Sequence, residues 1–298
     1  MNEAGFLSLL RTLPLHPGAH DLRDDAAVIG DLVLTADTLV EGVHFLASDR
    51  PGDVAWKLIA TNLSDLAAKG AVPEGVMLSY PLSDDAWDKA FVGGLGDALT
   101  SFACPIIGGD TVSLPSGAPR VLSLTALGRS GLVPRRSGAR PGATLWVTGS
   151  IGDAGAGLAI ARGEVGPASL LAAYRRPRPH LAEGQALAPY VEAMMDVSDG
   201  LLIDAGRMAA ASGVAITVDL ATLPLSADYR AHRGDTRASR IGAATAGDDY
   251  VLLFAAHRDW RPPVAATAIG RVSEGHGLSL IDDGEAVPLP DRLGWDHG

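Results

Sequence analysis

Residues 131–142, GLVPRRSGARPG, divide the chain into two stretches that each alternate strand-like and helix-like segments. Glycine, proline and arginine dominate this break, and proline withholds the backbone donor that a strand or helix interior needs. A chain with this pattern folds as two packed units of α/β or α+β class. We place the domain boundary here, with residues 1–135 and 136–298 as the two units. The length of 298 residues and a hydrophobic share of 47% are enough to fill two cores.

In the first half, DLVLTADT (31–38) reads as a strand that ends in polar residues. The segment from Asp53 to Gly70 carries Val54, Leu58, Ile59, Leu63 and Leu66 at helical spacing, with Asp53 the expected N-cap and Gly70 the expected C-cap. VMLSYPL reads as a strand and Asp84 to Phe102 as a second helix. CPIIGGDTVS reads as a short buried strand running into a turn, and RVLSLTALGRS as another strand. The second half restarts with the strand ATLWVTG, the turn GSIGDAGAG and a helix, and further helices run to about Glu192. MMDVSDGLLIDAGRMAAASG reads as strand end, turn and helix; VAITVDL, DYVLLFAA and AATAIGRV are later strands.

The aspartates fall in unusual places. Asp24 and Asp25, Asp37, Asp110, and Asp196 with Asp199 sit just after apolar strand-like runs or on short turns. Asp65 interrupts the apolar helical segment. Carboxylates at strand ends converge on one edge of a sheet, repel one another, and need cations; hard oxygen ligands suit magnesium. Magnesium in turn neutralises phosphate charge during phosphoryl transfer. Each residue also has a plain alternative. A lone Asp after a strand is usually a turn residue or a helix cap, and Asp196, Ser198 or Asp199 could cap the helix that starts near Leu201.

Other residues are read the same way. GSIGDAGAG matches neither GxxxxGK[ST] nor GxGxxG, so a tight strand-to-helix turn is the better account of its glycines. Gly108–Gly109 would let backbone approach a phosphate, or simply form a turn. Arg135 and Arg136 suit phosphate by charge and shape, although a solvated linker accounts for them too. Cys104 opens an apolar strand, as a buried, inert thiol would. As the single cysteine it excludes an intramolecular disulfide and suits a reducing cytoplasm. The start, MNEAGFLSLLRTLPL, reads as a surface helix rather than an export signal. A net charge of −11 and the lack of any run of eighteen apolar residues argue against nucleic acid and membrane as partners.

Taken in order, DDAAVI, LTADTLVEGVHF, WKLIATNLSDLAAKGAVP and IIGGDT resemble the first half of the thiamine-monophosphate kinase family. RRSGARPGATLWVTGSIGDAGAGLA, MDVSDGLLIDAGRMAAASG and AGDDYVLLFA resemble its second half, and the tail GWDHG resembles its end. The resemblance implies a two-domain fold like that of aminoimidazole ribonucleotide synthetase, with N-terminal sheets pairing across a homodimer. It implies direct transfer of the γ-phosphoryl group of ATP to thiamine monophosphate, with several magnesium ions. Asp25, Thr35, Asp37, Asp65, Asp110, Asp196 and Asp199 match its metal positions, and Gly109, Asp110, Arg136 and Ser198 its ATP contacts. His44, Asp248 and Trp295 match its substrate contacts, and Asp65, Asp196 and Asp199 would serve catalysis through metal positioning. Arg23 stands where the family usually has Gly, Ala36 where it has Ser or Thr, and Asp248 where it has Glu. The alternatives are another ATP-using enzyme of the same superfamily, or a non-catalytic nucleotide or thiamine-phosphate binding protein.

Overall fold

The computed structural model describes residues 2–115 and 117–296; the first residue of the opening segment and the last two of GWDHG lie outside the described residues. The first half contains α1 (Glu3–Leu10), β1 (Ala27–Ile29), β2 (Leu32–Val40), α2 (Pro51–Ala68), β3 (Val72–Leu82), α3 (Asp85–Ser101), β4 (Ile106–Ser113) and β5 (Val121–Arg129). Its sheet has the order β1-β2-β5-β3-β4. Only the β3–β4 pair is parallel, because α3 supplies the crossover that a parallel pair needs.

The second half contains β6 (Ala143–Val147), α4 (Asp153–Ala161), α5 (Ala168–Arg175), α6 (Leu181–Leu187), β7 (Ala193–Asp196), α7 (Leu201–Ser212), β8 (Ala215–Asp219), α8 (Ala227–Arg233), α9 (Arg237–Ala244), β9 (Leu252–His257), β10 (Thr267–Ser273), β11 (Gly277–Asp282) and β12 (Glu285–Val287). These strands form a second sheet in the order β12-β11-β8-β10-β6-β9-β7.

Helix α2 joins the two halves. Val54, Leu58, Ile59, Leu63 and Leu66 pack into the core of the first sheet. Ala67 and Ala68 pack against Trp146, Met194 and Phe254 of the second. A helix apolar on nearly every side is stable only when covered on nearly every side, and here both sheets cover it.

The expected caps of this helix are displaced. Arg50 occupies the N-cap position without a side-chain bond, while Asp53 lies in the first turn and its carboxylate pairs with Arg176 at 2.5 Å. Lys69 is the C-cap, and Gly70 follows it with φ +59°. The Gly70 amide bonds to the Ala67 carbonyl and the Ala71 amide to that of Leu66, closing the helix as a left-handed glycine just past the C-cap allows.

A larger correction concerns β4. The expected buried strand is exposed along its whole length. Among the described residues it is an edge strand paired only with β3, and Ile106, Ile107 and Val112 are exposed. Apolar composition made it look like core, but composition alone does not say whether the cover comes from the same chain. Cys104, just before it, is fully buried, and burial pushes its thiol up to about 11.

Candidate active site

The two halves meet in a cleft made of two cavities. Asp37, Asp65, Asp196, Ser198 and Asp199 line both and form the wall they share. One cavity, of about 290 Å³, adds His44, Asp248 and Trp295. The other, of about 700 Å³, adds Asp25, Arg136 and Arg207. Asp37 comes from β2, Asp65 from α2, and Asp196 from the end of β7. Ser198 and Asp199 lie on the turn into α7.

That turn is not spent on capping. Gly200 is the N-cap and makes no side-chain bond. Asp204, in the first turn of α7, reaches back instead and accepts from the Asp199 and Gly200 amides, both at 3.2 Å. Asp196 and Ser198 are therefore left to face the cleft. Asp196 accepts from the Ser64 hydroxyl at 2.7 Å, and Asp65 accepts from the Thr35 hydroxyl. The Asp37 amide is fixed by the Asn62 side chain at 3.1 Å.

The charges are unevenly balanced. Asp25 is paired with Lys69 at 2.7 Å and with the Arg136 guanidinium. Burial works to raise its carboxyl, but those two cations outweigh it and hold the group below the usual range. Lys69, fully buried, also pairs with Asp24 at 2.5 Å. Arg207 bridges Asp199 and Asp204. Among the described residues, Asp37, Asp65 and Asp196 have no such cation. Burial and then the neighbouring Asp199 push Asp37 up to about 6. Burial, followed by repulsion from Asp37, raises Asp65 well above the ordinary carboxyl range. Burial, followed by Asp25, does the same to Asp196.

Three desolvated carboxylates without a counter-ion fit a divalent cation by donor chemistry. Among the described residues, however, no three His, Cys, Asp or Glu side chains converge closely enough to hold an ion by themselves. Oxygen donors from a phosphate or water would complete any such shell.

The smaller cavity is built on strained backbone. Asp248 and Tyr250 take the left-handed conformation, with φ +62° and +52°. Such a conformation costs about 1–2 kcal/mol for a residue with a side chain. Two bonds to the turn after β7 hold it: the Asp248 amide to the Ser198 carbonyl at 2.7 Å, and the Tyr250 amide to that of Val197 at 2.8 Å. His44 accepts at Nδ1 from the Val40 amide at 3.0 Å. The tail docks onto the same place, through the Trp295 amide and the Asp199 carbonyl at 2.8 Å. The Trp295 ring remains half-exposed at the cavity wall.

Of the residues read from sequence, Asp25, Asp37, Asp65, Arg136, Asp196, Ser198, Asp199, His44, Asp248 and Trp295 line this cleft, and Thr35 supports it from behind. Gly109 and Asp110 do not line either cavity. Gly109 is in register with Asp37 through Leu78 and Leu124, three strand spacings away, or roughly 14 Å of sheet. Arg136 is less free than a solvated linker would leave it, since Asp25 already engages its guanidinium.

Sequence reasoning missed Lys57, Lys69, Arg207 and Tyr250. Lys57, Thr61, Asp65 and Lys69 recur every fourth residue along α2 and its cap, so a polar stripe in an apolar helix was the available signal for the two lysines. Nothing local marks Arg207 or Tyr250.

Family comparison agrees with this architecture. The family described as AIR synthase related protein, N-terminal domain, matches residues 23–130, and its C-terminal domain counterpart matches residues 140–283. Thiamine-monophosphate kinase of Caulobacter vibrioides is 42% identical, over 95% of this chain and 86% of its own. That of Escherichia coli K12 is 38% identical, over 92% and 90%. Among solved structures, AaThiL complexed with AMPPCP and TMP superposes with a TM-score of 0.88 at 32% identity, covering all of this chain and 97% of that one. The order of motifs read from the sequence, the two-sheet fold and these identities over nearly the full length agree: the chain belongs to the thiamine-monophosphate kinase family.

Proposed function

We propose that this protein transfers the γ-phosphoryl group of ATP directly to the phosphate of thiamine monophosphate, giving thiamine diphosphate and ADP. The observation that carries the reading is the shared wall of the cleft. Asp37, Asp65, Asp196, Ser198 and Asp199 face both cavities at once, so a donor on one side and an acceptor on the other would meet across the same carboxylates. The relative complexed with AMPPCP and TMP shares this fold over 97% of its length, which supports a nucleotide and a thiamine phosphate as the two occupants.

In this reading the larger cavity, with Arg136 and Ser198, takes ATP, and the smaller, with His44, Asp248 and Trp295, takes thiamine monophosphate. Asp25, Thr35, Asp37, Asp65, Asp196 and Asp199 would hold magnesium, which when bound neutralises the phosphate oxygens and charge developing between them. The chain's own residues orient the reactants. Trp295 offers an aromatic face to the thiamine rings. Arg136, whose guanidinium pairs with Asp25, would offer a positive, planar donor set to phosphate. Both reacting groups are anionic and the acceptor oxygen is already ionised near neutral pH, so positioning and charge compensation matter more than a general base.

Gly109 and Asp110 enter this reading only through a second chain. Within one chain they stand on the exposed edge strand, away from the cleft. An apolar edge of Ile106, Ile107 and Val112 is the surface a homodimer would cover. Such a pairing would let Asp110 act in the partner's site. The units are residues 1–135, carrying the dimer edge and half of the metal ligands, and 136–298, which complete the site. A cytoplasmic location belongs to the same reading and rests on the single buried, unpaired thiol of Cys104.

The test is a product assay. Purified protein, ATP, magnesium and thiamine monophosphate are incubated, and the thiamine species separated by chromatography. Magnesium-dependent thiamine diphosphate with one ADP per product is expected. A folded protein that yields neither would overturn the reading.

A further inference from the structure

Lys57 is one of three lysines in the chain, and it is almost fully buried. It projects from the second turn of α2 toward the smaller cavity, and both of its hydrogen-bond partners belong to that cavity's wall. Its ammonium donates to Asp248 Oδ2 at 2.7 Å and to the His44 carbonyl at 3.0 Å. It also lies 4.3 Å from the centre of the Tyr174 ring. The other oxygen of Asp248 accepts from the Tyr250 hydroxyl at 2.9 Å. Asp248 is thus gripped at both oxygens while still about a third exposed toward the cavity.

We infer that Lys57 is a positioning residue that sets how the smaller cavity recognises its substrate. It lies in the first half of the chain and reaches 191 positions along the sequence to fix a carboxylate of the second. It also anchors the His44 loop, so one ammonium holds both sides of the cavity at a set distance. By neutralising Asp248 it converts that carboxylate from a counter-ion into an oriented hydrogen-bond acceptor. The group best served is a neutral donor, such as the exocyclic amine of an aminopyrimidine, rather than an isolated cation. This inference rests on the reading of the smaller cavity as the thiamine monophosphate side.

The test is a double-mutant cycle of Lys57→Met and Asp248→Asn in the full-length protein, with KM for each substrate, kcat and thermal melts. Losing one charge-assisted hydrogen bond corresponds to roughly a ten- to hundredfold change. Lys57→Met is expected to raise KM for thiamine monophosphate by that factor while KM for ATP moves less than about threefold. In the Asp248→Asn background the same substitution is expected to cost clearly less, because only the bond to the His44 carbonyl is left for it to remove. The double variant holds no unpaired buried charge, so it keeps the test available if Lys57→Met alone does not fold. Equal rises in both KM values, or full additivity in the cycle, would assign Lys57 a purely structural role and overturn the inference. A wild-type protein that is folded but makes no thiamine diphosphate would instead overturn the functional reading on which it rests.

Discussion

Replacing Asp37 with Asn should stabilise the protein in the absence of metal and nucleotide while abolishing its proposed activity. The Asp37 carboxylate makes no hydrogen bond or ion pair among the described residues; only its backbone is engaged. Burial and Asp199 hold its carboxyl at about 6, against an ordinary 3.8. A folded-state value above the unfolded one means stability that is present below 3.8 and lost as pH rises through 6. At pH 7.5 the full loss is about 3 kcal/mol, falling to about 1 kcal/mol at pH 4.5. Asn has nearly the same shape and does not titrate, so the variant escapes this cost. Asp37 shares its strain with Asp65 and Asp196, so a gain of about 1–3 kcal/mol at pH 7.5 is the expectation. That corresponds to a melting temperature higher by roughly 2–8 °C. Urea unfolding followed by tryptophan fluorescence in EDTA, repeated at pH 7.5 and 4.5, measures it. A variant less stable than wild type at pH 7.5, or an advantage that does not shrink on acidification, would refute the reasoning.

Asp65→Asn should lower turnover by about a hundredfold or more while the protein stays folded, since it removes a cleft carboxylate without removing bulk; near-normal turnover at ordinary magnesium would count against the assignment. Lys69→Met should destabilise by about 3–5 kcal/mol, because it strands the buried Asp24 carboxylate and leaves Asp25 with Arg136 alone, and Asp24→Asn should recover part of that loss in denaturant titrations. Ile107→Lys should dissociate a dimer built on the β4 edge without unfolding the chain, as read by light scattering; an unchanged mass would mean that this edge is not the interface.

Much of the fold was legible because periodicity reports local structure. The helical spacing from Val54 to Leu66 located α2, and β2, β7, β8, β9 and β10 fall where apolar runs predict them. What the pattern did not reveal was the identity of the covering surface. The run from Ile106 to Val112 is as apolar as a core strand, yet it lies at the sheet edge. Helix α2 is covered by two sheets, one of which begins more than seventy residues later in the chain.

The site was legible to the same extent. Asp65 stood out because it interrupts an apolar helix, and Asp196 and Asp199 because they follow a strand. Their pairings were not visible, since Lys57 meets Asp248, and Arg136 meets Asp25, across separations of more than a hundred residues. Two left-handed residues, Asp248 and Tyr250, likewise leave no mark in composition, because either residue type also occurs in ordinary turns.

The most direct test of direct phosphoryl transfer follows the phosphorus itself. ATP labelled at the γ-phosphate is incubated with the protein, magnesium and thiamine monophosphate, and the label is traced in the separated products. The account predicts that label appears in the terminal phosphate of thiamine diphosphate, matching the ADP formed, with none retained on the protein. Label released as inorganic phosphate, or held on the protein before the acceptor is added, would contradict it.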